Sequence, residues 1–153
     1  MTHVRIQVQT DDFDLAQEYQ RIRQQNPRCG AIVSFTGLVR DFNADGAVES
    51  IFLEHYPAMT GKILQQLADR AISRWPLGGI TIIHRVGLLR GSEQIVLVLV
   101  AAEHRGEAFA AAEYLMDFLK TEAPFWKRED GPGGKGWVEA KTSDQRARKR
   151  WEP

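Results

Sequence analysis

Lys120 and Lys127 stand seven positions apart, on either side of Pro124. A lysine held among other cations has its ammonium form disfavoured, so its pKa falls. It can then serve as a base, or as an amine nucleophile, near neutral pH. Two lysines flanking a proline turn can face one pocket from two sides. Further cations gather where elements are expected to end: Arg40, His104, Arg105 and Arg128. Arg40 and Arg105 are candidates to converge on a phosphate or carboxylate through charge-assisted hydrogen bonds. Phe125 and Trp126 offer an apolar wall or a stacking face for a flat heterocycle. The segment Lys120–Glu129 therefore reads as the centre of an anion-handling site with a candidate catalytic lysine.

Taken singly, each residue also has a structural reading. The macrodipole favours Lys120 near a helix C-terminus whatever its function. Arg40 can be a solvated strand end, His104 a cap, and Lys127-Arg128-Glu129 an exposed charge run. His55 and His84 sit in strand patterns and read as structural. His55, His84 and His104 lack the close spacing of a zinc site, so no metal is expected.

The elements that must position these residues follow from periodicity. Val4, Ile6 and Val8 alternate with polar residues, as in a strand. Asp11 and Asp12 are placed to cap a helix from about Phe13 to Gln24. Ala31–Val39 and Val48–Tyr56 read as strands. Pro57 suits the first turn of a helix with Ile63, Leu64, Leu67, Ala71 and Trp75 on one face. Pro76 and Gly78-Gly79 are expected to end it. Ile80–Val86 and Gln94–Ala102 are further strands, the second apolar enough to be central and covered on both faces. Gly106–Glu122 is a helix whose buried face would hold Phe109, Ala112, Met116 and Leu119, and Pro124 stops it. Phe125–Asp130 and Trp137–Lys141 are short strands around a glycine-rich loop. The basic tail, about residues 144–153, is expected to be mobile or to dock on a partner. Mixed helix and sheet content of the α/β or α+β kind follows.

The chain has 153 residues, the size of one domain. Lys+Arg and Asp+Glu balance at 20 each, so no global field draws it to nucleic acid or an acidic membrane. Any anion preference must come from local clustering. Cys29 is the single cysteine, which excludes an intrachain disulfide and a multi-thiolate zinc cluster. The start lacks a signal-peptide pattern, and the longest apolar run, Ile95–Ala102, is too short to span a bilayer. A cytosolic protein is the expectation.

At Lys120-Thr121-Glu122-Ala123-Pro124-Phe125-Trp126-Lys127-Arg128-Glu129 the chain resembles the catalytic, large subunits of molybdopterin synthase. The resemblance continues in order through Ser34-Phe35-Thr36-Gly37 with Val39-Arg40, and Leu53-Glu54-His55-Tyr56-Pro57 with Met59-Thr60. Arg74-Trp75-Pro76-Leu77-Gly78, Ile83-His84-Arg85-Val86-Gly87, Glu103-His104-Arg105 and Trp137-Val138-Glu139-Ala140 extend it over nearly the whole chain.

Membership of that family would imply an α+β fold of the α/β hammerhead type with an additional antiparallel β-subdomain. It would imply a homodimer, each protomer binding a small ubiquitin-like sulfur-carrier subunit to give a heterotetramer. The carrier's Gly-Gly C-terminus would bring a thiocarboxylate, and sulfur would pass to cyclic pyranopterin monophosphate in two transfers that create a dithiolene. No cofactor is implied. Lys120 and Lys127 match the catalytic lysines: Lys120 for acid/base work or a transient link to the donor carbonyl, Lys127 for orientation and charge stabilisation. Arg40, His104 and Arg105 match substrate-binding positions, and Arg128 and Glu129 would complete the pocket. Leu38 and Val39 belong to the same block, and Leu38 stands where a polar side chain is expected, so contact there would be by backbone. Lys141 replaces an arginine that reaches the neighbouring protomer in relatives; lysine keeps the charge and loses the fork. Cys29 would be structural, because sulfur arrives on the carrier.

Two rival readings are a carrier-docking module without turnover and a nucleic-acid binder using Trp126-Lys127-Arg128 and Arg146–Arg150. Product formation from thiocarboxylated carrier and precursor separates the first from an enzyme. A salt-dependent shift on single-stranded RNA would favour the second.

Overall fold

The computed structural model describes residues 1–40, 50–130, 136–138 and 142–152. In chain order the elements are β1 (His3–Gln9), α1 (Leu15–Gln25), β2 (Ala31–Leu38), β3 (Ser50–His55), α2 (Pro57–Arg74) and β4 (Leu77–Arg85). They continue with β5 (Gly87–Arg90), β6 (Gln94–Ala102), α3 (Arg105–Glu122), β7 (Phe125–Asp130), β8 (Gly136–Val138) and α4 (Thr142–Lys149).

β6 is apolar from Ile95 to Ala102 because it runs inside a sheet of order β1-β4-β6-β2 with helices on both faces. Strand alternation divides its side chains between two cores. Val96, Val98 and Val100 join Leu64, Leu67, Ile80, Ile82, Ala111 and Leu115 beneath α2 and α3. Leu97, Leu99 and Ala101 join Phe13, Ile22 and Ile83 beneath α1. Only the β1–β4 pairing is parallel; β4–β6 and β6–β2 are antiparallel. A second sheet, β5-β3-β7-β8, is antiparallel at every pairing. The fold is α+β, with the expected extra antiparallel sheet. Gly87, at φ +90, stands where the chain leaves the first sheet for the second.

Several expectations need correction. The cap of α1 is Asp14, whose side chain accepts the Gln17 N–H, so the helix begins at Leu15. Asp12 instead accepts from its neighbour Phe13 and from the Gln94 side chain. Gly78 and Gly79 lie within β4, not at a helix end. A Cβ on Gly78 would meet Cys29 Sγ at 2.5 Å and Asn26 Oδ1 at 2.6 Å, so close packing against the chain after α1 demands glycine. Phe109 is 60% exposed; Ala108, Ala111 and Leu115 carry the buried face of α3. The four-residue strand β5 is additional to the expected strands. The tail docks on its own chain: Arg150 pairs with Glu113 at 2.6 Å and Asp117 at 2.7 Å, and the Trp151 indole N–H donates to Asp117 at 2.6 Å.

Candidate active site

α3 must end where it does. Pro124 lacks an N–H and disfavours helical backbone at Ala123, which is extended at ψ 134. The Phe125 N–H then donates to the Ala123 carbonyl at 2.8 Å, and the chain turns into β7. Lys120 is thereby left exposed in the last turn of α3, with Lys127 on the adjoining strand. Alternation along β7 puts Phe125, Lys127 and Glu129 on one face, and Trp126 and Arg128 on the other. Lys127 Nζ lies 3.7 Å from Glu129 Oε2, in a partly exposed pair that holds the ammonium without burying it. Arg128 lies over the Phe52 ring at 5.0 Å, on the face away from Lys127. Beside it Tyr56 and Trp126 meet edge to face at 4.6 Å.

Beneath the turn lies His84 of β4. Its ring stacks on Phe125 at 3.8 Å with an interplanar angle of 13°. Because a carbonyl can only accept, His84 Nδ1 is the donor in its 2.8 Å bond to the Arg85 carbonyl. Burial pushes its pKa down to about 4; the bond to Arg85 opposes this, and the nearby Lys120 and His55 charges add to it. At neutral pH the ring is uncharged, with Nε2 an acceptor. In the first turn of α2, Thr60 donates its hydroxyl to the Tyr56 carbonyl, so His55 Nδ1 on β3, 3.2 Å from that hydroxyl, is the donor in their contact. Glu122, two residues beyond Lys120, is gripped by Arg70 at 2.8 Å and Arg148 at 3.0 Å. The end of α3 is thus anchored on both sides.

Arg40 is exposed just past the end of β2. Gly37 and His84 both pair with Val96, so Arg40 and the lysines share one end of the first sheet. Leu38 is 54% exposed, whereas Val39 is buried with Ile51, Leu53 and Leu89. The Val39 N–H donates to Glu93 and its carbonyl accepts from Ser92, so it packs the core.

His104 and Arg105 do not join this group within one chain. His104 is the N-cap of α3, with no side-chain capping bond, and Arg105 opens the helix. Both follow Ala102, which pairs with Ala31 at the opposite end of β2 from Leu38. α3 separates Arg105 from Lys120 by fifteen residues, roughly 22 Å at about 1.5 Å per residue. The expected convergence of Arg40 and Arg105 therefore does not occur inside a single chain. Lys141 lies outside the described residues.

Two surface clefts, of about 720 and 410 Å³, lie elsewhere: one beside Leu15, Tyr19 and Ser34, the other around Asn26, Cys29 and Glu103. Neither is lined by Lys120 or Lys127. Among the described residues no group of three or more His, Cys, Asp or Glu could hold a metal ion, and no helix is long and apolar enough to cross a membrane. His84 is structural, as its strand pattern implies, but the stacking face of Phe125 is turned to His84 and not to a heterocycle. The available signal is a histidine directly after the apolar pair Ile82-Ile83 of a strand.

The fold is of the α+β class, with a lysine pair at the junction of a helix and a second sheet. Comparison makes it specific. The sequence model of the MoaE protein family matches residues 8–122. The molybdopterin synthase catalytic subunit of Ralstonia nicotianae is 53% identical over 146 residues, covering 95% of this chain and 83% of the relative. That of Escherichia coli is 48% identical over 151 residues, 99% of this chain and 100% of the relative. The structure of molybdopterin cofactor biosynthesis protein E from Burkholderia multivorans superposes with a TM-score of 0.83 at 47% identity, covering 97% of each chain. The chain belongs to the MoaE family and is an enzyme of the molybdopterin synthase catalytic-subunit type, acting in molybdenum cofactor biosynthesis.

Proposed function

We propose that the chain transfers sulfur to cyclic pyranopterin monophosphate, taking it from the C-terminal thiocarboxylate of a small ubiquitin-like carrier subunit. The observation that carries this reading is the junction of Lys120 and Lys127 across the Pro124 turn. Thiocarboxylate and phosphate are both anions, and their meeting needs cations that substrate can reach. Lys120 is exposed and Lys127 partly so, and a neutral rather than cationic imidazole lies beneath them. Lys120 is assigned to acid/base work or a transient link to the donor carbonyl, and Lys127 to stabilising developing negative charge. Glu129, on the Lys127 face, orients that ammonium. Arg40, at the same end of the sheet, is the candidate phosphate ligand.

The exposure of Lys120 also supports a protein partner. Transfer of a reactive sulfur requires exclusion of water, which a docked partner supplies at an exposed lysine. Relatives named as catalytic subunits imply a second subunit, and its C-terminal tail would form one wall. His104 and Arg105 lie at the far end of the first sheet, so they serve a pterin phosphate only in a second copy of this chain. A homodimer with one carrier per protomer, a heterotetramer located in the cytosol, follows from this reading. Arg128, on the outer face of β7, would act through the β7 backbone or at a partner contact.

The test supplies purified chain with thiocarboxylated carrier and the pterin precursor, and measures dithiolene product. Product formation that stops in Lys120→Ala supports the proposal. Absence of product with the unaltered chain and intact carrier binding would leave a docking module.

A further inference from the structure

A histidine inside a core is costly unless its polarity is used, because a ring nitrogen left without a partner forfeits its hydration. His84 is only 5% exposed, yet a phenyl ring would fill similar space and stack on Phe125 equally well. One nitrogen is accounted for by the Arg85 carbonyl. The groups of other elements that bear on the ring are Lys120 from α3, His55 from β3 and Phe125 from β7. Phe125 lies between the two lysines in the chain, so whatever fixes its ring fixes the turn that relates them.

We propose that His84 is a positioning residue for the lysine pair: pinned by the Arg85 carbonyl and stacked on Phe125, it holds the Pro124 turn so that Lys120 and Lys127 face the same substrate. This rests on the sulfur-transfer reading of that site. Its remaining nitrogen, Nε2, is an acceptor, the polarity that a donor-only ammonium can use. A cationic ring there would instead repel Lys120. Keeping the imidazole neutral and immobile therefore serves the lysine directly, which a phenyl ring cannot do.

The first test is His84→Phe, which keeps an aromatic ring for the stack and removes both nitrogens. With thiocarboxylated carrier and pterin precursor, kcat is expected to fall roughly tenfold to a hundredfold, the scale of misplaced catalytic groups. KM for the carrier should stay unchanged, and the pH dependence of kcat should shift. Unaltered kcat with an unaltered pH profile overturns the proposal. The unsubstituted chain runs in the same assay, so its failure would count against sulfur transfer, not against His84.

The second test needs no variant at His84 and no turnover. Nitrogen-15 resonances of the His84 ring are followed against pH in the unaltered chain and in Lys120→Ala, whose substitution is on the surface. A moved Nε2 resonance and a higher titration midpoint in Lys120→Ala are expected. Identical spectra and midpoints would mean that His84 and Lys120 are not coupled, and the proposal falls even if His84→Phe does not fold.

Discussion

His84 is held with a pKa of about 4, against 6.5 for a free imidazole, chiefly because burial penalises its cation. Between those values the unfolded chain binds a proton that the folded chain refuses, so stability rises with pH across this window. The contribution is complete above the unfolded value and is lost as pH falls toward the folded one, about 3 kcal/mol in all. Urea unfolding of the unaltered chain and His84→Phe should therefore show a stability difference about 2 kcal/mol less favourable to histidine near pH 5 than near pH 7.5. A pH-independent difference would mean that the ring is not buried neutral. Lys120→Ala belongs to the other class of residue. Lys120 is exposed, so the substitution should change stability by less than about 0.5 kcal/mol while abolishing product formation. Retained turnover with carrier and precursor would remove Lys120 from the chemistry. The lysines were legible because seven residues and one proline suffice to set them on adjoining elements. His84 was legible as buried but not as functional, since its stack with Phe125 joins strands of two different sheets.

At the scale of elements, periodicity located β1 and α2, and apolar or β-branched runs located β2 and β6, because those signals lie within each element's own sequence. They fail where a face is completed by another element. α4 is almost wholly polar, and its segment reads as a free basic tail. Its acids are supplied by α3, through Glu113, Asp117 and Glu122. Its apolar anchor is Trp151, which meets Trp75 at 5.8 Å and Tyr114 at 5.5 Å, both edge to face. The error at Phe109 has the same root: α4 and α2 cover other sides of α3, and the helix's own spacing does not reveal which side they choose. Trp151→Ala should destabilise the fold by about 2 kcal/mol, below the range for a fully buried tryptophan because this one is half-buried. Chemical denaturation measures it. A change below about 0.5 kcal/mol would mean that the tail packs only loosely on α3.

At the scale of the whole molecule, the separation of the candidate site residues is the informative feature. Arg40, Lys120 and Lys127 gather at one end of the first sheet, and His104 and Arg105 stand at the other. The sequence places all five near element ends, but not which ends coincide; that depends on β6 running antiparallel to β2 and on α3 retracing the length of the sheet. If a second copy supplies His104 and Arg105, each site draws on two chains, and a two-fold axis makes both sites alike. Two inactive variants can then rescue one another. Lys120→Ala spoils the lysine end and Arg105→Ala the far end. In a heterodimer of the two, one site carries both defects and the other carries neither. After the variants are mixed and exchanged to equilibrium, about half of the dimers are mixed, and each has one intact site of its two. Activity should therefore return to roughly a quarter of the unaltered level. Sites built within single chains give no recovery at any mixing ratio, because every chain carries a defect of its own. The assay thus distinguishes a shared site from a private one without requiring a structure of the assembly.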